Sequence, residues 1–162
     1  MRLVRFMLPA LVFTFVATAA QAQINSPPPA LQGQASHHLW SVPGAIRTDI
    51  GTFFACTNTT DNPIRVGVEV FGPAGGAAAN DPSATSLNVA AGGTVLFGTG
   101  LAVGLFPDSN LGAPPLSTGS ARILATAGSG VICSAFLADA NNSPPTSMTK
   151  LTVVKKTKQK GQ

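Results

Sequence analysis

The chain has 162 residues, 44% of them hydrophobic and 10% charged, with 17 Gly, 13 Pro, two Cys, one Trp, no Tyr and a formal net charge of +4. That supplies enough apolar chain for one packed core, and too little glycine and proline for a low-complexity polymer. Six carboxylates and two histidines leave few groups that could move protons, attack a carbonyl or hold a metal, so the expectation is a protein that is not an enzyme and carries no cofactor.

Arg2 and Arg5 precede an apolar stretch from Phe6 to Ala20, and Ala20-Gln21-Ala22 offers the small residues a signal peptidase requires. These are the three parts of a secretory signal, and the ~15 apolar residues fall short of the ~20 that span hydrocarbon. Residues 1–22 are therefore expected to be a signal peptide. The mature chain would be secreted or periplasmic, acting at the cell envelope or beyond it, with no transmembrane segment after cleavage. Mature residues 23–162 hold eight Lys and Arg against six acids, and four of the eight are Lys155, Lys156, Lys158 and Lys160. The basic character thus belongs to the ends of the chain.

Residues 23–35 read QINSPPPALQGQA, a Pro/Gln-rich segment without a core-forming period and expected to be a flexible extended arm. Short apolar runs follow: His38 to Val42, Thr52 to Thr57, Ile64 to Phe71, Ser86 to Val89, Thr94 to Phe97, Ala121 to Thr126, Val131 to Ala138 and Thr149 to Lys155. In IRVGVEVF, Ile64, Val66, Val68 and Val70 alternate with Arg65 and Glu69. Period two with β-branched residues means a half-buried strand, which would set Glu69 on the solvent side. VICSAFLA is apolar on both faces and is expected centrally in a sheet. Turn chemistry separates the runs, as in Asp61-Asn62-Pro63, Ala91-Gly92-Gly93 and Gly128-Ser129-Gly130. The organisation read from this is a domain over 36–154 and a basic disordered tail over 155–162. Its fold class is all-β, an antiparallel β-sandwich of seven or eight short strands.

Cys56 and Cys133 lie in two of these runs, and in an oxidising compartment a single disulfide is the simplest expectation. The pattern is similar to immunoglobulin domains in architecture only, because there a tryptophan lies between the cysteines, whereas Trp40 precedes both.

One interval resists a plain meander. Residues 98–119 carry Leu101, Val103, Leu105, Phe106, Leu111 and Leu116 among glycines and prolines. A connection of about 20 residues without its own element is uncommon. Either part of it is a strand or a flap packed over an open end of the sandwich, or it is a partner-binding loop presenting apolar side chains. The lysines of KKTKQK have no acid among them and offer attachment to an anionic surface. No aromatic residue is interleaved, so specific nucleic-acid binding is not expected. Asn58-Thr59-Thr60 matches a glycosylation acceptor.

The function expected is therefore non-catalytic, a binding or structural role toward a protein or polymer of the envelope. The alternatives are a metal-binding or hydrolytic periplasmic protein using loop aspartates or His37 and His38, and a self-assembling surface subunit whose N-terminal arm adds to a neighbour's sheet edge.

Overall fold

The computed structural model describes residues 24–100 and 104–156. The signal-peptide reading and four site residues, Leu101, Val103, Lys158 and Lys160, lie outside the described residues.

Among the described residues, ten strands and one short helix follow in order: β1 (His37–Pro43), β2 (Ile50–Asn58), β3 (Ile64–Phe71), α1 (Pro82–Thr85), β4 (Leu87–Val89), β5 (Thr94–Gly98), β6 (Ser109–Asn110), β7 (Ser120–Ala125), β8 (Val131–Asp139), β9 (Met148–Leu151) and β10 (Val154–Lys155). They form two five-stranded sheets, ordered β10-β1-β7-β3-β4 and β6-β5-β2-β8-β9. Every pairing is antiparallel except β5 with β6.

The alternation in β3 does what its period requires. Ile64, Val66, Val68 and Val70 enter one core with Val42 and Ile123 of the same sheet and with Phe54, Phe97, Val131 and Ala135 of the other. The two sheets thus share an apolar interior, as in a sandwich. The run Thr149 to Lys155 is not one strand. It crosses between sheets, giving β9 to the edge of one and β10 to the edge of the other.

Cys56 and Cys133 form the expected disulfide. They are register partners on the adjacent strands β2 and β8, so the bridge staples one sheet and does not tie the two sheets together. Strand β8 is paired on both sides, by β2 and β9; its outward face is open at Ile132 and covered at Phe136 and Ala138 by a small apolar cluster with Phe53, Leu96 and Leu105. The run lies inside the sheet as expected, and its outer apolar residues are divided between the exposed Ile132 and the cluster around Phe53.

Glu69 corrects the reading of β3. It is 3% exposed and pairs with Arg122, which is fully buried. The cause is a third layer. Residues 24–35 lie over the outer face of the β10-β1-β7-β3-β4 sheet, where Ile24 and Ser26 carbonyls accept from the Arg122 guanidinium at 3.0 and 2.7 Å. Leu31 is fully buried and lies so close over Gly67 that a β-carbon there would sit 3.0 Å from its Cδ2. A tight turn at Gln32 and Gly33, both with positive φ, closes a Leu31–Gln34 bridge, and Gln32 N donates to Ser83 Oγ. The arm is therefore a strap held on its own domain, and it rests on a sheet face, not on a sheet edge.

Candidate binding site

Where β1 and β10 meet the strap, the surface opens into a cleft of about 740 Å³. Its walls are Asn25 and Pro28 of the strap, His37, His38 and Trp40 of β1, the Gly128–Gly130 turn between β7 and β8, and Lys155 and Lys156. Each wall has a local cause. The β1–β7 register shifts between His38 and Trp40, so His38 pairs Leu124 while Trp40 pairs Ile123. Ile123 faces the shared core, and alternation puts Leu124 on the opposite side. The shift thus turns the Trp40 ring inward and His38 outward beneath the strap. Trp40 packs against the core, and its Nε1 donates to the Val131 carbonyl of the other sheet at 3.2 Å. Strand β10 pairs Lys155 with Trp40 and Val154 with Ser41, and Lys156 N donates to the Leu39 carbonyl at 2.9 Å. Short as it is, β10 brings two cations to a site begun more than a hundred residues earlier.

The cleft is electropositive without an imidazolium. His38 is pushed down to about 4, first by burial and then by the charges of Lys156 and Arg122. Its Nε2 is 3.1 Å from the Trp40 carbonyl and 2.9 Å from Ser41 Oγ. A carbonyl can only accept, so Nε2 carries the proton and the ring is neutral near pH 7. Glu69, the carboxylate nearest to this wall in the β1-β7-β3 register, is bound by Arg122.

The other sequence candidates fall elsewhere. Leu111 and Leu116 are buried members of the main core and give a partner no surface. Leu105 packs outside the other sheet with Phe53, Leu96 and Phe136, where Phe53 and Phe136 stack at 5.6 Å. In the described part, then, the 98–119 interval is a flap containing the short strand β6. Among the described residues of this set, Phe106, 83% exposed, is the one that projects into solvent. Asn58 is buried, and its Nδ2 donates to the carbonyls of Asn62, Val89 and Ala90. The acceptor motif there serves a turn.

Three aspartates also serve the backbone. Asp81 caps α1 through Ser83 N and Ala84 N. Asp108 accepts from Leu96 N. Asp139 takes donors from Asn141, Asn142 and Thr146, and these bonds, Thr146 first, hold its carboxyl well below the usual carboxylate range. Among the described residues no three of His, Cys, Asp and Glu converge as metal ligands, and no helix is long and apolar enough to cross a membrane.

The structure thus joins His37 and His38, read as a weak metal pair, with Lys155 and Lys156, read as part of a solvated tail. Arg122 is the one charge in ARILA, and Glu69 shares IRVGVEVF with Arg65, so nothing local paired Glu69 with Arg122. Compared with known protein families, curated proteins and solved structures, the chain matches none.

Proposed function

We propose that the protein works outside the cytoplasm, at the cell envelope or beyond it, as a non-catalytic binding domain whose cleft takes an anionic polymer bearing carboxylate or phosphate groups. One observation carries the reading. Lys155 and Lys156 share a cleft with Trp40 and a neutral His38, while the nearby Glu69 is bound to a buried arginine. Ammonium groups on flexible stems attract anions without demanding one geometry. The cross-strand disulfide supports an oxidising compartment. Attachment of the arm to a neighbouring copy's sheet edge is not favoured, because the strap lies on its own sheet face and spends its carbonyls on Arg122.

Trp40 is the chain's one tryptophan, and there is no tyrosine, so intrinsic emission reports the surroundings of this one residue, which belongs to both the core and the cleft lining. Titration with an oligouronate and, separately, with linear polyphosphate should change that emission saturably. Raising the salt should weaken the effect, because exposed charges are screened within about 8 Å at physiological ionic strength. Lys155→Ala with Lys156→Ala should remove most of the response. Unchanged emission with both polymers at low salt would defeat the proposal.

A further inference from the structure

Part of the cleft wall is not supplied by the sheets. Asn25 and Pro28 line it, and both belong to the strap. We infer that the strap is a working part of the binding site and that Arg122, which does not line the cleft, is its positioning residue. This rests on the cleft being the site of binding.

Arg122 is fully buried. Its Nε donates to Glu69, which satisfies only one side of the guanidinium fork. Nη1 donates to the carbonyls of Ile24 and Ser26, and Nη2 reaches Ser26 Oγ at 3.4 Å. The carbonyls of residues i and i+2 are thus gripped from one side, which fixes the backbone on both flanks of Asn25. Further along, Ser36 Oγ donates to the Pro29 carbonyl at 2.6 Å and Leu31 is seated over Gly67. Pro28 stands between these anchors, inside a proline run that has little conformational freedom to lose.

On the other side of the same latch, Ser41 is the register partner of Arg122 and hydrogen-bonds to His38. Both Ser41 and His38 line the cleft. Arg122 therefore stands one residue pair behind the cleft floor while holding its outer wall. Lifting the strap would exchange these charge-assisted hydrogen bonds and the burial of Leu31 for contact with water, so the wall is held in place before a ligand arrives. Such preorganisation raises affinity by lowering the ordering cost of binding.

The test uses the full chain and Trp40 emission with the oligouronate and polyphosphate probes. Arg122→Lys keeps a charge for Glu69 but lacks the planar fork that grips two carbonyls. Leu31→Ala loosens the strap at its far anchor and leaves Arg122 intact. Each should lower affinity for whichever probe binds by about tenfold, with the lysines untouched. In the unaltered chain, the bound probe should slow hydrogen exchange of residues 24–31, a change that a purely structural strap would not show. The inference fails if both variants bind like the parent, or if the strap's exchange does not respond to bound probe. In either event, a loss of binding in the Lys155→Ala, Lys156→Ala chain would leave the cleft reading standing. If the parent chain binds neither probe, both readings fall.

Discussion

Replacing Glu69 by Gln is expected to be among the most damaging single changes available in this chain. An outward-facing glutamate on a strand would tolerate it within about 0.5 kcal/mol. Here the carboxylate is 3% exposed and faces a guanidinium with no exposure at all. Removing the charge leaves a buried cation opposite a neutral amide, and breaking a buried pair in that way costs about 3–5 kcal/mol. For a domain of this size the loss corresponds to a fall in Tm of roughly 10–20 °C. The assay is urea denaturation followed by Trp40 emission and by circular dichroism, on the parent, Glu69→Gln, Arg122→Met and the Glu69→Leu, Arg122→Met double variant. The double variant should be more stable than Glu69→Gln alone, because a pair of apolar side chains leaves no charge uncompensated. It should remain below the parent, because the Ile24 and Ser26 carbonyls lose their donor. A cost below about 1 kcal/mol for Glu69→Gln would refute the buried latch and with it the docked strap.

Other expectations follow from the same geometry. Changing both Cys56 and Cys133 to Ala should destabilise the domain by about 2–5 kcal/mol, since a closed loop spanning 77 residues is opened; intact mass should also rise by about two daltons on reduction of the parent. Because the His38 ring has its pKa lowered from 6.5 to about 4 in the fold, the unfolded chain takes a proton that the folded chain refuses as pH falls through that window. Stability should therefore decline between pH 6.5 and 4 by on the order of 2 kcal/mol, less than the full shift implies because solvent screens the half-buried ring, and His38→Gln should flatten the decline in a pH series of urea melts. Any further loss below that window belongs to carboxylates such as Asp139, whose depressed pKa stabilises the fold only while it is ionised. Leu111→Ala should cost about 2–5 kcal/mol by emptying a core position, whereas Phe106→Ser should change stability by less than about 0.5 kcal/mol; equal costs would contradict the division of the flap into seated and projecting residues.

The strands were legible because period two survives in short runs. Ile64 to Phe71 coincides with β3, and the segments around Phe53, Phe97, Ile123 and Ala135 differ from the observed strands only at their ends. Two kinds of feature were not legible. The two-residue strands β6 and β10 have no pattern of their own and exist only because a distant partner offers backbone groups. The covering of a sheet's outer face by the strap could not be read from QINSPPPALQGQA, whose one deep anchor is Leu31. That unseen layer is why Glu69 read as solvent-facing. The candidate site shows the same split. Each of its residues drew a local interpretation, the lysines as a tail and the histidines as a strand entrance, while their meeting depends on β10 pairing with β1.

The most direct test is a two-dimensional amide NMR titration of the mature chain with the oligouronate and with polyphosphate. At least one probe should shift resonances that cluster at residues 36–41, 128–130, 155–156 and the strap near Asn25, with saturable dependence on concentration. Shifts confined to the exposed apolar residues Ile132 and Phe106, or no saturable shift with either probe, would contradict the assignment of the cleft as the binding site.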